Sequence, residues 1–514
     1  MKKYALISLS DKSGCGELAR ELEQLGYAIL STSNTAKHLR GYCSTVKEVS
    51  DLTGFPEILD GRVKTLHPKV HAGILADRSK PEHIATLSQH GIQAIDIVVV
   101  NLYPFEQTLA RKDATPEELV ENIDIGGPSL IRAAAKNHAG VIVLTDPADY
   151  QPTLQYLRDG QTVPLGWRKY LAAKAFALTA RYDALIAGYF EREDASGNPV
   201  EQAPVLRIDE ALRMPLRYGE NPHQAGAYYC DGDPGWQKLH GKELSFNNLL
   251  DMDAALGTLR LFTQPTVVIV KHCNPCGIGS ADTLSEAYAK AFAADTASPF
   301  GGIVALNRVL DMDAAREINA IFTEIILAPD FAEGVMDFLR KKKDRRVIRF
   351  DPEVLSHPSA DKEVKPLRRG YLVQDWDDPG LDAPDWTDVC NRTATQEQRE
   401  ALAWAWKVVS RLRSNAIAVT TSDRVLGLGI GQTSRIDSVS IALNHAARYG
   451  HSTKGAVCAS DGFFPYRDGV DTLAAAGITA IVQPGGSKSD IEVINACNEH
   501  GIAMLFTGRR HFRH

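Results

Sequence analysis

A lysine and a histidine follow directly on the apolar run Val267 to Val270, in the segment Lys271-His272-Cys273-Asn274-Pro275-Cys276-Gly277. Such a pair suits acid/base work, because a neighbouring ammonium lowers the proton affinity of an imidazole and keeps it available as a base near neutral pH. The Cys273-x-x-Cys276 spacing also admits metal or redox chemistry. However, Gly277-Ile278-Gly279 stands where a zinc deaminase pattern needs another cysteine, and no thioredoxin-like setting surrounds the pair. A second concentration of chemistry runs from Gly61 to Gly73, where Arg62, Lys64, His67, Lys69 and His71 alternate with Val63, Leu66 and Val70. It reads either as a solvated basic loop or as an anion-binding or catalytic segment, and the interleaved apolar residues favour the second. His67 and His71 stand at i, i+4, yet Pro68 follows the first and no Glu lies between them, so no zinc helix is expected.

Two hydroxyl-rich stretches, Ser8-Leu9-Ser10-Asp11-Lys12-Ser13-Gly14 and Ser31-Thr32-Ser33-Asn34-Thr35-Ala36-Lys37, follow strand-like runs. Such turns either cap helices or, brought together at the carboxyl edge of a parallel sheet, share one phosphate. Asn101-Leu102-Tyr103-Pro104-Phe105 and Ile123-Asp124-Ile125-Gly126-Gly127-Pro128-Ser129 are further polar and aromatic loops of the kind that hold ligands. Gly427-x-Gly429-x-Gly431 is a poor dinucleotide fingerprint and reads as a turn. Arg340 to Arg346 reads as an exposed helix face, with binding of a polyanionic ligand tail as the alternative.

The elements that must position these residues are visible in the hydrophobic period. Tyr4 to Ser8, Tyr27 to Leu30, Ile95 to Val100 and Val141 to Leu144 have strand character, with Leu18, Leu22 and Leu25 at helical spacing between the first two. The continuous apolar runs point to strands covered on both faces, hence a parallel α/β domain over residues 1 to about 195. Thr115-Pro116-Glu117-Glu118 predicts a helix start, and Ala133 to His138 a helix end. Polar residues 191–199 mark a boundary near 200. Beyond it, strands at Val267 to Val270, Ile303 to Leu306, Ile417 to Thr420, Ala456 to Ala459 and Ile481-Val482 predict a second α/β region. Gly-rich segments at 277–279 and 427–431, each followed by a helix and a strand, suggest an internal duplication. The Asp- and Pro-rich stretch from about 351 to 395 reads as an irregular connection between the halves.

The 514 residues carry 57 Lys and Arg against 64 Asp and Glu, a net charge of -7, so neither nucleic acid nor an anionic membrane is an expected partner. With 44% hydrophobic and 24% charged residues the chain is globular rather than disordered or fibrous. Cys15, Cys43, Cys230, Cys273, Cys276, Cys390, Cys458 and Cys497 follow no disulfide framework, the amino end lacks a signal-peptide core and no run is long enough to span a membrane; the cytoplasm is the expected location.

Taken together, Ser-Asp-Lys-Ser-Gly, Gly-Arg-Val-Lys-Thr-Leu-His-Pro, Asn-Leu-Tyr-Pro-Phe, Ile-Asp-Ile-Gly-Gly-Pro, the stretch Arg217-Tyr218-Gly219-Glu220-Asn221-Pro222-His223-Gln224, the Lys271-His272 segment, Gly431-Gln432-Thr433-Ser434-Arg435 and Phe463-Phe464-Pro465 resemble, in order and over the whole chain, a bifunctional family of purine biosynthesis. In it, 5-aminoimidazole-4-carboxamide ribonucleotide (AICAR) formyltransferase is fused to IMP cyclohydrolase. The resemblance implies a methylglyoxal-synthase-like cyclohydrolase domain over 1–195. It also implies a formyltransferase domain over 200–514, made of two cytidine-deaminase-like subdomains at about 200–360 and 390–514. Ser10, Lys12, Thr32, Ser33 and Thr35 are implied in phosphate binding, and Arg62, Lys64, Thr65, Asn101, Tyr103, Asp124, Gly126 and Lys136 in ring closure. Lys271 and His272 are implied in formyl transfer from 10-formyltetrahydrofolate. Arg217, Tyr218, Asn248, Phe300, Gly301, Asn415 and Arg510 would hold the nucleotide or assist transfer, while Arg435, Ile436, Phe463 and Pro465 would face the folate. No metal is expected, and the implied partners are AICAR, formyl-AICAR, IMP, folate and a second copy in a homodimer. Three positions depart from the family pattern: Ser33-Asn34 replace the usual glycines, Glu324 stands where an aspartate is usual, and the terminal Arg510-His511-Phe512-Arg513-His514 leaves His514 without a firm role. A single-activity enzyme and a non-catalytic nucleotide-binding regulator are the alternatives.

Overall fold

The computed structural model describes residues 3–356, 362–377 and 386–514. It divides into two compact units, Met1–Asp209 and Glu210–His514.

In the first unit β1 (Lys3–Ser8), β2 (Tyr27–Ser31), β3 (Val46–Glu48), β4 (Ile97–Val100) and β5 (Ile142–Leu144) form one sheet in the order β3-β2-β1-β4-β5, every pair parallel. Ile97, Val98, Val99 and Val100 are all buried, which is why this run is apolar without alternation. The order reverses between β1 and β4, so the loops after these two strands diverge there and open a crevice at the carboxyl edge. Thr115 caps the helix Pro116–Glu121 through a reciprocal box with Glu118, as its sequence predicts. The helix Gly126–Lys136 ends at the lysine, also as predicted.

The second unit opens with an antiparallel ribbon of β6 (Leu212–Leu216) and β7 (Gly226–Tyr229). Two six-stranded sheets of the same plan follow. The first contains β8 (Trp236–His240), β9 (Thr266–Lys271), β10 (Asn274–Ser280), β11 (Ile303–Leu306), β12 (Ile325–Ala328) and β13 (Arg346–Phe350), in the order β10-β9-β11-β12-β13-β8. After a hairpin of β14 (Glu363–Pro366) and β15 (Tyr371–Gln374), the second contains β16 (Thr387–Asp388), β17 (Ile417–Thr420), β18 (Val425–Gly429), β19 (Val457–Ser460), β20 (Ala480–Gln483) and β21 (Ala503–Phe506), in the order β16-β21-β20-β19-β17-β18. In each sheet an antiparallel hairpin forms one edge, three parallel strands follow, and a short antiparallel strand closes the other edge.

The duplication suspected from the sequence is therefore present, and it extends to caps. Ser245 and Asn248 box the helix Phe246–Leu259, and Thr395 and Gln398 box the helix Gln396–Val409. These two helices share one core with the facing sides of both sheets, while each sheet's other side has its own apolar cluster.

Three expectations need correction. Gly427 and Gly429 lie within β18, not in a turn: an added Cβ would stand 2.0 Å from the Ala442 carbonyl oxygen and 1.9 Å from that of Ser438. Gly277 and Gly279 in β10 meet the Ala291 and Ala287 carbonyls in the same way, at 2.0 and 2.4 Å. Both pairs exist so that a helix can lie directly on an edge strand. Part of the stretch read as irregular is the β14–β15 hairpin; 357–361 and 378–385 within it lie outside the described residues. The basic run is not an exposed helix face, because Arg345 and Arg346 are 0% and 4% exposed and β13 begins at Arg346. Arg345 donates to the Thr323 carbonyl at 3.2 Å and to Asn319 Oδ1 at 2.8 Å, so the guanidinium replaces water for a buried loop.

Candidate active sites

The carboxyl edge of the first sheet opens into a cleft of about 760 Å³ lined by Ser10, Lys12, Thr32, Thr35, Arg62, Lys64, Thr65, Asn101, Tyr103, Asp124 and Gly126, among others. Asn101, just past β4, clamps the loop after β1: its Oδ1 accepts the Ser10 N–H at 2.6 Å and its Nδ2 donates to the Asp11 carbonyl at 2.7 Å. Lys12 folds back to donate to the Ser10 carbonyl at 3.1 Å. The Thr35 hydroxyl donates to the Leu9 carbonyl and accepts the Leu9 N–H, so it ties the first two loops together and has no proton left for a ligand. The Ser8 and Thr32 hydroxyls lie 3.0 Å apart. The Ser33 hydroxyl turns to Glu57, whose other oxygen is 2.9 Å from Lys64 Nζ. Burial would push the Glu57 carboxyl up, but the hydrogen bonds from Ser33 and Lys64 and the lysine's charge hold it below the ordinary value. Arg62 pairs with Glu121.

Asp124 precedes the helix Gly126–Lys136 and accepts the Gly127 N–H at 2.8 Å, while its own N–H donates to the Tyr182 hydroxyl at 2.8 Å. Burial raises its pKa, only partly offset by hydrogen bonds from Gly127, Tyr103 and Gly126 and by the charge of Lys64. A Cβ on Gly127 would stand 2.4 Å from Asp124 Oδ2, so glycine is what lets the carboxyl close over the helix start. The result is a carboxyl that holds a proton more readily than usual, within reach of the field of a lysine, at the mouth of a polar cleft. Lys136 is exposed at the far end of that helix, about 15 Å along its axis at 1.5 Å per residue, and does not line the cleft.

In the second unit Lys271, His272, Asn274, Pro275, Cys276, Asp295, Ser298, Leu428, Ile430 and His445 line a cleft of about 360 Å³. His272 and Cys273 form the two-residue turn between β9 and β10, with φ of 53° and 61°. Positive φ at both positions matches a tight hairpin, yet neither residue is Gly or Asn, a strained choice of the kind found where a side chain is needed at the tip. The Cys273 N–H donates to Asp251 at 2.6 Å, which holds the turn. Burial pushes the Cys273 and Cys276 thiols up to about 11 and about 12, so both stay neutral and the C-x-x-C pair is no thiolate site. Lys271 Nζ donates to the Phe300 carbonyl, and Gly301 beside it has a φ of 71°. Phe300 packs on Phe322.

Asn248 is buried: its Oδ1 accepts the Ser245 N–H and its Nδ2 donates to Glu324 Oε1 at 3.0 Å, which also accepts from Arg346 at 3.1 Å. Glu324 thus takes the centre of a hydrogen-bonded cluster. Arg217 lies exposed over the Tyr218 ring, and its charge is felt by Arg346. Asn415, just before β17, donates from Nδ2 to the Gln432 and Thr433 carbonyls past β18 at 3.0 and 3.2 Å. Arg435 is 6% exposed and donates to Asn415 Oδ1 at 2.8 Å, to the Ala416 carbonyl, to Ser460 and to the fully buried Asp461. Its guanidinium is engaged within the protein. Ile436 packs into the outer core, Pro465 is half-buried, Phe463 is exposed, and Arg510 stacks 4.5 Å over Phe512.

Sequence reasoning missed Glu57, Asp295, His445 and Asp461 as parts of these sites. Asp461 and Asp295 stand close to the quoted Phe463-Phe464-Pro465 and Phe300-Gly301 segments, whereas nothing local marks Glu57 or His445. Among the described residues no group of three or more His, Cys, Asp or Glu could hold a metal ion, and no helix is long and apolar enough to cross a membrane.

The fold and the clefts define a two-unit α/β enzyme with a ligand-sized cleft in each unit. A model of the MGS-like domain matches residues 14–129, and a model of the AICARFT/IMPCHase bienzyme matches residues 134–445. The chain is 48% identical over 520 residues to the bifunctional purine biosynthesis protein PurH of Acetivibrio thermocellus, covering 100% of both. It is 48% identical over 523 residues to the PurH of Chlorobaculum parvum, covering 100% of this chain and 99% of that one. To the PurH of Chloroflexus aurantiacus it is 50% identical over 514 residues, covering 99% and 98%. The chain belongs to the AICARFT/IMPCHase bienzyme family, which joins AICAR formyltransferase to IMP cyclohydrolase in de novo purine synthesis.

Proposed function

We propose that the two activities divide between the two clefts: ring closure in residues 1–195 and formyl transfer in residues 200–514, the latter built from subdomains at about 200–360 and 390–514. The observation that carries this reading is the pairing, in one cleft at the switch point of a parallel sheet, of hydroxyl-rich loops with Lys64 and with Asp124, a carboxyl whose pKa burial raises. Ser10, Lys12 and Thr32 take the ribonucleotide phosphate, with Thr35 and Asn101 fixing the loops that present them. In ring closure the carboxamide nitrogen attacks the formamido carbon and a C–N bond forms. The former carbonyl oxygen then leaves as water, carrying one proton from each of the two nitrogens. Lys64 stabilises the oxygen as it gains charge; Asp124 and Tyr103 move the protons. Arg62, Thr65 and Gly126 border the base. Lys136, outside the cleft of its own chain, has no step in this scheme.

For formyl transfer we assign 10-formyltetrahydrofolate as donor. The 5-amino group of AICAR attacks the formyl carbon, the bond from that carbon to the donor nitrogen breaks, and the amine's proton passes to the leaving nitrogen. Lys271 and His272 assist that passage. Arg217, Tyr218, Phe300, Gly301 and Arg510 hold the nucleotide, with Asn248 acting through Glu324. Asn415 is oriented by Arg435 beside the donor, whose pterin rests against Phe463, Pro465 and Ile436. The reading needs no metal, and it includes a cytoplasmic homodimer.

A split assay tests the division. Residues 1–199 alone are expected to convert formyl-AICAR to IMP without a folate, and Asp124→Asn in the full chain to abolish that conversion while formyl transfer continues. Ring closure by residues 200–514 alone would overturn the assignment.

A further inference from the structure

The second cleft contains a histidine and an aspartate that the scheme above does not use. Asp295 is 4% exposed and follows the helix Leu284–Ala294. Its Oδ1 accepts the N–H groups of Ala297 and Ser298 at 2.9 and 2.8 Å, and its Oδ2 accepts the Ser298 hydroxyl. The carboxylate is thus the anchor of the loop that leads into Phe300, whose carbonyl receives Lys271 Nζ. The same Oδ2 lies 3.3 Å from Nε2 of His445, on the helix Arg435–Arg448 of the other half, and the Tyr449 side chain also reaches this carboxylate. With the imidazole proton on Nε2 toward Asp295, Nδ1 is left buried and without a partner.

The internal duplication provides an independent reading of this contact. Aligning the halves on the glycine contacts, Gly277 on Ala291 and Gly427 on Ala442, places His445 opposite Ala294, which is completely buried and apolar. The helix position that faces the Lys271 cleft carries a hydrogen-bonding group in one half and a methyl group in the other. A general packing requirement between the halves would give the same residue type at both.

We propose that His445 is a positioning residue for formyl transfer, acting through Asp295 and the Ala297–Gly301 loop to hold Lys271 at the reacting atoms. The same helix begins at Arg435, which orients Asn415. One rigid helix then ties the placement of Lys271 to that of Asn415, groups separated by about 140 residues of chain. The inference rests on the assignment of Lys271 to formyl transfer.

The test uses the full chain, with each activity assayed separately. His445→Leu is expected to lower kcat for formyl transfer roughly tenfold with little change in KM for AICAR or donor, in the range of coupling between contacting residues, and to leave cyclohydrolase activity unchanged. His445→Gln, which keeps a donor for Asp295, should restore most of the rate. In a Lys271→Ala background His445→Leu should add nothing. Equal loss in His445→Gln and His445→Leu, a change confined to KM, or a further tenfold loss on top of Lys271→Ala would each overturn the proposal. Full formyl transfer by Lys271→Ala itself would instead refute the assignment beneath it. Thermal unfolding of each variant separates misfolding from misplacement, and a His445→Gln protein that folds as the parent yet does not recover counts against the proposal.

Discussion

The two halves of the second unit share a plan residue by residue at their packing contacts, yet their chemistry is placed at opposite ends. Thr266 begins β9 and Ala416 directly precedes the matching β17, and each donates its N–H to a side chain just past the neighbouring strand: Asn307 at 2.8 Å in one half, Asp461 at 3.0 Å in the other. The amide closes its own shell on the Phe262 and Gln264 carbonyls. The carboxylate requires a buried cation, and Arg435 supplies it where the first half has Leu284. At the hairpin tip the asymmetry reverses: Lys271-His272-Cys273-Asn274 in the first half matches Thr421-Ser422-Asp423-Arg424 in the second. Because β10 and β18 approach edge to edge, with Gly279 bridging Arg424, the tip of each half lies beside the strand base of the other. One crossing forms the Lys271 cleft. The other is closed by Lys290 on Asp423 at 2.8 Å and by Ser280 on Thr266 and Trp404. Duplication preserved what packs, and left one of two equivalent crossings open as a cleft.

The sharpest break of that comparison is at the tips. Lys271→Ala should cost formyl transfer about 10²- to 10⁴-fold, the span of a general acid/base contribution, while Thr421→Ala at the matching position changes it less than about twofold; steady-state rates of both activities decide. Next comes the base of the second half. Asp461→Ala leaves the Arg435 guanidinium buried and unpaired and should destabilise by about 3–5 kcal/mol in denaturant unfolding. Asp461→Asn combined with Arg435→Leu copies the first half and should regain most of that stability without regaining formyl transfer. The packing glycines should behave alike: Gly277→Ala and Gly427→Ala each drive a methyl into a helix carbonyl and should each cost about 1–3 kcal/mol. Gly257→Ala, with nothing within 4 Å of its added Cβ, should be neutral or slightly stabilising. The smallest effect concerns pH. Burial pushes the Asp295 carboxyl up, but hydrogen bonds from Ser298, Tyr449 and Ala297 outweigh it and bring its pKa to about 2 from an unfolded value of 3.8. A depressed carboxylate stabilises above its unfolded pKa, so this contribution is full above about pH 4 and is lost as pH falls toward 2; in an acid titration of thermal stability the parent should show a fall over that range that Asp295→Asn lacks.

Much of the fold was legible because strands such as Val267 to Val270 and Ile97 to Val100 are buried on both faces and leave unbroken apolar runs, and because Thr115-Pro116-Glu117-Glu118 carries a complete helix start. The glycines of β18 were misread as a turn because the reason for them is a helix eight or more residues later, a contact with no local trace. Arg345 and Arg346 were misread because charge clusters are usually solvated, whereas here the partners are the Glu243 carbonyl and, from 319–324 ahead of a neighbouring parallel strand, further carbonyls and Glu324.

By itself the sequence determined the residue types that can do the chemistry, the order of the elements and the approximate repeat, since these follow from side-chain chemistry and local period. Only the tertiary structure decided which of those residues share a cleft. Lys64 meets Glu57 and Asp124 in the field of one parallel sheet edge, Lys136 is carried away by the length of its helix, and Asp295 meets His445 because two edge strands pack side by side. Proton affinity and orientation depend on neighbours within a few ångströms, and those neighbours come from distant parts of the chain.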